Sequence, residues 1–302
     1  MARTRDIVIG VIIGGSFLVF FLIMAITLIY GRFGEADGFS GLGSKVAIVN
    51  LNGVIASSTE IVRQLDRWGR DDNVRAIVLH INSPGGGVAP SQEIYDKVMK
   101  VRASTSKPVV VSMSSVCASG GYYIACAADK IMAVPGTVTG SIGVIFEWPV
   151  VNKLLDKVGV QYETIKSGKV KDVGSPFREA NDTDRAMLQS VVDDTYDQFV
   201  SVVCERRGIP RDSAVAMATG AIFTGRQAQK LGLVDSLGTF DDAVDLAGEL
   251  SGLGKNPNRI KETTRRTVTI FDLLGSLTNI DLGRLLDSGQ DLVSPKLQYI
   301  FN

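Results

Sequence analysis

Pro108-Val109-Val110-Val111-Ser112 is a short apolar run that leads directly into Ser115-Val116-Cys117-Ala118-Ser119-Gly120-Gly121-Tyr122-Tyr123-Ile124-Ala125. The first part has the pattern of a strand buried on both faces. The second crowds small residues where a strand should turn into a helix. Such a turn exposes a side chain at the start of the helix and aims backbone N–H groups at it. Ser119 is therefore a nucleophile candidate, and Gly120 could donate to an oxyanion. The same residues also suit a tight packing turn whose small side chains simply permit close approach.

The pattern repeats on either side. Val46-Ala47-Ile48-Val49 and Ala76-Ile77-Val78-Leu79-His80-Ile81 are apolar runs, and Lys130-Ile131-Met132-Ala133-Val134 is a third. Between the first two, Ile61, Leu65 and Trp68 recur at helical spacing, with Ser58 or Thr59 available to cap. Residues 91–101 read as a helix and 162–165 as a strand. Residues 181–207 form a long amphipathic helix stopped by Gly208 and Pro210, followed by shorter helices at 213–218, 225–231 and 241–250. Short apolar strands alternating with helices predict an α/β layer fold with a mostly parallel sheet.

Ser83-Pro84-Gly85-Gly86-Gly87 ends the second strand, the edge where open α/β sheets bind ligands. It lacks the spacing of a phosphate loop or a dinucleotide fingerprint. Its glycines could bring a second N–H to the point served by Gly120. A serine nucleophile needs a base, and the one histidine, His80, lies inside an apolar strand, where a structural role is expected. Lysine is the alternative, since burial favours the neutral amine. Lys166, Lys169 and Lys171 fall together in Ile165-Lys166-Ser167-Gly168-Lys169-Val170-Lys171-Asp172, and spacing alone does not choose among them.

Composition narrows the rest. Lys plus Arg and Asp plus Glu are both 32, a balance that speaks against a nucleic-acid binder. Three Cys and one His make neither a disulfide scaffold nor a metal site, so no metal or other cofactor is expected. The mean hydropathy of +0.18 is high for this charge content. Its source is residues 7–30, which carry no charge and are long enough to span a bilayer. Arg3 and Arg5 precede this run and favour a cytoplasmic N-terminus. The expected organisation is a membrane anchor over 1–31, a Gly/Ser tether over 32–44, a catalytic domain over 45–253 outside the cytoplasm, and a tail over 254–302 that could serve assembly.

Taken together, these residues resemble the signal peptide peptidase A family, in its short, single-domain, membrane-anchored form. The resemblance runs from about residue 45 to 252. It rests on Ser83-Pro84-Gly85-Gly86-Gly87, Ala118-Ser119-Gly120-Gly121-Tyr122-Tyr123, Thr139-Gly140-Ser141-Ile142-Gly143-Val144, the Lys171-Asp172 block, and Phe223-Thr224-Gly225-Arg226-Gln227-Ala228. It implies a fold shared with the crotonases and the Clp protease subunit. It also implies a Ser–Lys dyad of Ser119 and Lys171, with Ser141 orienting the lysine and Gly120 and Gly86 forming the oxyanion hole. Implied partners are cleaved signal peptides and other apolar peptides, and further copies of the chain in a ring or dome. Cys117, Cys126 and Cys204 are read as buried free thiols. Two other readings compete: a crotonase-like acyl-CoA enzyme, whose enolate would suit the same two glycine loops, and a catalytically silent membrane scaffold.

Overall fold

The computed structural model describes residues 43–262 and 296–300. The apolar run at 7–30 and most of the tail lie outside the described residues. Among the described residues, no helix is long and apolar enough to cross a membrane.

The chain enters through β1 (Lys45–Asn52), α1 (Thr59–Arg70), β2 (Val74–Ser83), β3 (Gly85–Gly87) and α2 (Val88–Thr105). It continues through β4 (Val109–Ala118), α3 (Gly120–Ala125), β5 (Lys130–Ala133), β6 (Val138–Gly140) and β7 (Ile145–Glu147). Then come α4 (Asn152–Lys157), α5 (Asp182–Arg207), α6 (Arg211–Met217), β8 (Ile222–Thr224), α7 (Gly225–Lys230), β9 (Ser236–Leu237), α8 (Phe240–Leu250) and β10 (Arg259–Lys261). A final strand, β11, spans Lys296–Ile300.

The main sheet runs β10-β1-β2-β4-β5-β9, and every pair along it is parallel. Its strands read as continuous apolar runs because both faces are covered. Val46, Ile48, Ala76, Val78 and Val110 face Ala243, Val244 and Ala247 of α8. Ala47, Val49, Ile77, Leu79 and Val111 face the larger core, which holds Leu65, Trp68, Ile94 and Phe199 from α1, α2 and α5. Leu65 is completely buried there, so Leu65→Ala would cost about 2–5 kcal/mol.

The expected helices and strands are present, with four differences. Residues 162–165 form no strand: they find no edge to pair with, and Ile165 is fully exposed. Ser58 precedes α1 in a helical backbone conformation and does not cap it; its hydroxyl donates instead to Glu93. Gly85–Gly87, read as part of a glycine loop, is a short strand. Cys117 and Cys126 are buried free thiols as expected, but Cys204 is only half-buried. Burial pushes the Cys126 thiol up to about 12 and raises Cys117 well above its ordinary value, so both stay protonated packing groups.

β4 is the strand that leads into Ser119. Its first half pairs with β5 and its second half with β6, which turns away to meet β8 antiparallel. The sheet therefore splits at the C-terminal end of β4, where Ser119 sits.

Candidate active site

Ser119 joins β4 to α3 with φ 51° and ψ −116°, a region that strains a residue with a side chain. The surroundings hold it there. Its N–H donates to Gly140 O at 2.8 Å, extending the β4–β6 ladder, and its carbonyl accepts from Tyr123 N at 2.8 Å. The side chain is completely buried, and Oγ has no hydrogen-bond partner among the described residues. A buried hydroxyl left unpaired in a strained turn is uncommon and makes Ser119 a candidate functional residue.

The two glycine loops close on one another around this turn. Ile55 N donates to Gly85 O at 2.8 Å, and Gly87 N donates to Ile55 O at 2.8 Å. Because backbone groups alternate along a strand, the N–H and C=O of Gly86 must face the other way. On that side lies β11, antiparallel, with Tyr299 opposite Gly86. Gly86 and Tyr299 are thus a mutually hydrogen-bonded pair. A Cβ at Gly85 would overlap the Tyr299 carbonyl oxygen and come within 2.9 Å of Gly120 N. A Cβ at Gly120 would lie 3.2 Å from the same oxygen and 2.6 Å from Ser91 Oγ. Glycine is needed at Gly85 because the Tyr299 carbonyl occupies the place of a side chain, and at Gly120 first because Ser91 Oγ does, with the same carbonyl close behind.

β11 is held on both edges. Across from β3 it pairs antiparallel with β7, with Leu297 opposite Phe146 and Gln298 opposite Ile145. The result is a small sheet, β3-β11-β7, in which an extended peptide is the middle strand.

Ser141 follows Gly140, the acceptor for Ser119 N, and is itself held at φ 48° with its N–H on Ala221 O at 2.8 Å. It lines a pocket of about 500 Å³ with Gly143, Val144, Tyr196, Thr219 and Ile300. No lysine lines this pocket among the described residues. Ser119, Ser141, Gly86 and Gly120 are therefore gathered at one end of the sheet, but Lys171 is not brought to Ser119 Oγ.

The three lysines differ in their surroundings. Lys166 Nζ contacts Asp172 Oδ1 at 2.6 Å and Lys169 O at 3.0 Å, so it is tied up as a cation. Arg178 grips the same carboxylate through Nε at 2.8 Å and Nη2 at 2.7 Å, and its Nη1 pairs with Asp184 in the capping box of α5. The Arg178 and Lys166 charges hold the Asp172 carboxyl well below the usual carboxylate range. The aspartate thus anchors the loop, while the neighbouring Lys171 stays exposed.

His80 is structural. Nδ1 lies 3.2 Å from Ser112 Oγ, and the ring packs edge-on to Phe240 at 4.8 Å. Burial lowers its pKa. Reading the sequence alone missed β11, because glycine partners give no side-chain pattern and the strand is remote in sequence.

A strained serine beside a glycine loop and a strand-like peptide is an arrangement that a serine peptidase can use. The comparisons agree. Residues 102–254 match the model of peptidase family S49, and residues 41–139 match that of Clp protease. The chain belongs to peptidase family S49 and is a serine peptidase with a Clp-protease-like α/β domain. A protein of Synechocystis sp. named as an inferred protease is 42% identical over 73% of this chain and 78% of its own length. Protease 4 of Salmonella typhi is 36% identical over 70% of this chain and 35% of its own length. The chloroplastic serine protease SPPA of Arabidopsis thaliana is 28% identical over 82% of this chain and 38% of its own length. The acyl-CoA and silent-scaffold readings give way to the peptidase.

Proposed function

We propose that this serine peptidase is a membrane-anchored endopeptidase working through a Ser119–Lys171 dyad. The observation that carries the reading is the peptide carbonyl of Tyr299, in register with Gly86 and packed against Gly85 and Gly120, the residue after the strained Ser119 with its unpaired hydroxyl. In this mechanism Lys171 takes the Ser119 proton, and Oγ attacks the scissile carbonyl carbon. The Gly86 and Gly120 N–H groups hold the oxyanion, each worth on the order of 3–4 kcal/mol. The lysine then passes its proton to the leaving amine, and water hydrolyses the ester to free Ser119. Ser141, on the wall of the adjoining pocket, orients the amine.

Lys171 reaches that pocket from a second copy of the chain. Two features support this. The pocket beside Ser141 has no lysine of its own among the described residues. The chain around the lysine exposes Leu154, Val158, Val160, Tyr162 and Ile165, an apolar surface that a second copy would cover. Packing there would also take the amine out of water and favour its neutral form. The peptidase works as a homo-oligomeric ring or dome. Residues 1–31 anchor it in the cell membrane, 32–44 tether it, and 45–253 act outside the cytoplasm on signal-peptide remnants and other apolar peptides.

A serine-reactive phosphonate probe tests the nucleophile. It should label Ser119 in the full chain, and Ser119→Ala should lose both the label and peptide hydrolysis while still assembling. Labelling at another serine, or turnover by Ser119→Ala, would rule the assignment out.

A further inference from the structure

Gly86, proposed above to supply one oxyanion donor, lies in a strand made only of glycines. Such a strand has no side chains to pack, and glycine has the freest backbone of any residue. An oxyanion donor must nevertheless be fixed before substrate arrives. Ile55 holds one edge of β3 through two backbone hydrogen bonds, which leaves the two ends of the strand to be fixed by other groups. Two serines do this. Ser83 and Ser91 are completely buried, and neither takes part in acyl transfer.

Ser83, the last residue of β2, holds the entrance. Its Oγ accepts from Gly85 N at 3.1 Å and donates to Gly85 O at 3.4 Å. Ser91, near the start of α2, holds the exit: its Oγ donates to Gly87 O at 2.8 Å. A helical serine that bonds back four residues is ordinary on its own. Here the acceptor is the last residue of the glycine strand. The same hydroxyl is also the nearest atom to the place of a Cβ on Gly120, 2.6 Å away. Ser83 makes a matching contact one residue further along α3, where its carbonyl oxygen lies 3.3 Å from the place of a Cβ on Gly121. Pro90 packs on the remaining glycine, with Cδ 3.1 Å from the place of a Cβ on Gly87. Each serine thus touches both the glycine strand and the start of α3.

We propose that Ser83 and Ser91 are positioning residues of the oxyanion hole. Their hydroxyls pin the two ends of β3, and their contacts with Gly121 and Gly120 set its spacing from the turn at Ser119. Their role rests on the reading of Gly86 and Gly120 as oxyanion donors. Both side chains are buried and act through the backbone. Loosening β3 misplaces a donor whose bond is strongest in the transition state, so kcat falls while KM stays.

Ser83→Ala and Ser91→Ala in the full chain test this, with Ser112→Ala as the control. Ser112 is a buried β4 serine whose partner is His80. The control should keep the wild-type kcat for a fluorogenic peptide amide. Each of the other two should lower kcat by about tenfold with KM unchanged, short of the roughly hundredfold or more that follows outright loss of an oxyanion donor. A Leu-Leu-Leu aldehyde places its oxygen in the oxyanion hole once Ser119 Oγ adds to its carbonyl carbon. Its inhibition should weaken by the same factor in both variants. The Leu-Leu-Leu alcohol, which cannot add, should bind all forms alike. A smaller folded fraction would lower the apparent kcat but not the affinity for the aldehyde, so unchanged aldehyde affinity overturns the positioning role. If Ser119 takes the phosphonate label and both variants keep full kcat, or KM rises as much as kcat falls, the role is overturned and the peptidase reading stands. If the wild-type chain hydrolyses no peptide and Ser119 takes no label, the peptidase reading fails first, and this role with it.

Discussion

The two halves of the proposed dyad sit in opposite surroundings. Around Ser119 the chain is closely packed: α3 and both ends of β4 are buried, backbone bonds hold the glycine loops, and a strained turn is held in place. Around Lys171 it is irregular and open, with Ile165 completely exposed and no strand between 160 and 166. A preorganised oxyanion site has to be rigid before substrate arrives, because its donors must not reorganise during reaction. A lysine base has the reverse need, since a charged amine in water is useless until something desolvates it. The difference teaches that the chain presents a preorganised turn at Ser119 and an open loop at Lys171, which is why the proposed dyad calls on a second copy to bury the lysine.

The largest effect should come from the lysine itself. Lys171→Ala is expected to lower kcat/KM by at least about 10³-fold. Lys166→Ala and Lys169→Ala should be far milder, since Lys166 is already spent on Asp172. If Lys169→Ala alone abolishes turnover, the choice of base is wrong. Next comes the anchor. Arg178→Ala should free the Asp172 loop and reduce kcat by about tenfold through misplacement, with KM little changed. Arg178→Lys keeps the charge without the two-point grip and should recover only part of the rate. An equal rise in KM would point to a substrate contact instead.

The smallest effect lies on the ordered side and concerns stability. Unfolded His80 takes up a proton near pH 6.5, whereas burial lowers its pKa in the fold. The unfolded chain therefore binds more protons as pH falls through about 6.5, and stability decreases there. The urea midpoint should drop between pH 7.5 and 5.5, and the drop should shrink in His80→Gln. An unchanged slope in the variant would show that other groups carry it.

Much of the ordered half was legible in the sequence. Val46–Val49, Ala76–Ile81 and Val109–Val111 read as strands because a parallel sheet covered on both faces demands unbroken apolar runs. Ser119 stood out because only small residues permit the turn that follows it. The less ordered half misled: Tyr162 and Ile165 have strand-like side chains, but a strand needs an edge, and Tyr162 instead stacks on Phe177 at 3.9 Å. β3 and β11 were invisible for a different reason. Each is a strand only because the other, Ile55 and β7 lie beside it, which is tertiary information. The resemblance to signal peptide peptidase A, now matched by the S49 family, selected Lys171 where spacing left three candidates.

Mixing two inactive variants tests the split site directly. Ser119→Ala retains Lys171, and Lys171→Ala retains Ser119, so each supplies what the other lacks. If the dyad forms between copies, co-assembly of the two should restore a readily measured fraction of wild-type hydrolysis, rising and falling with the mixing ratio. If both variants assemble together and every mixture stays inactive, serine and lysine do not meet across copies and the account is contradicted.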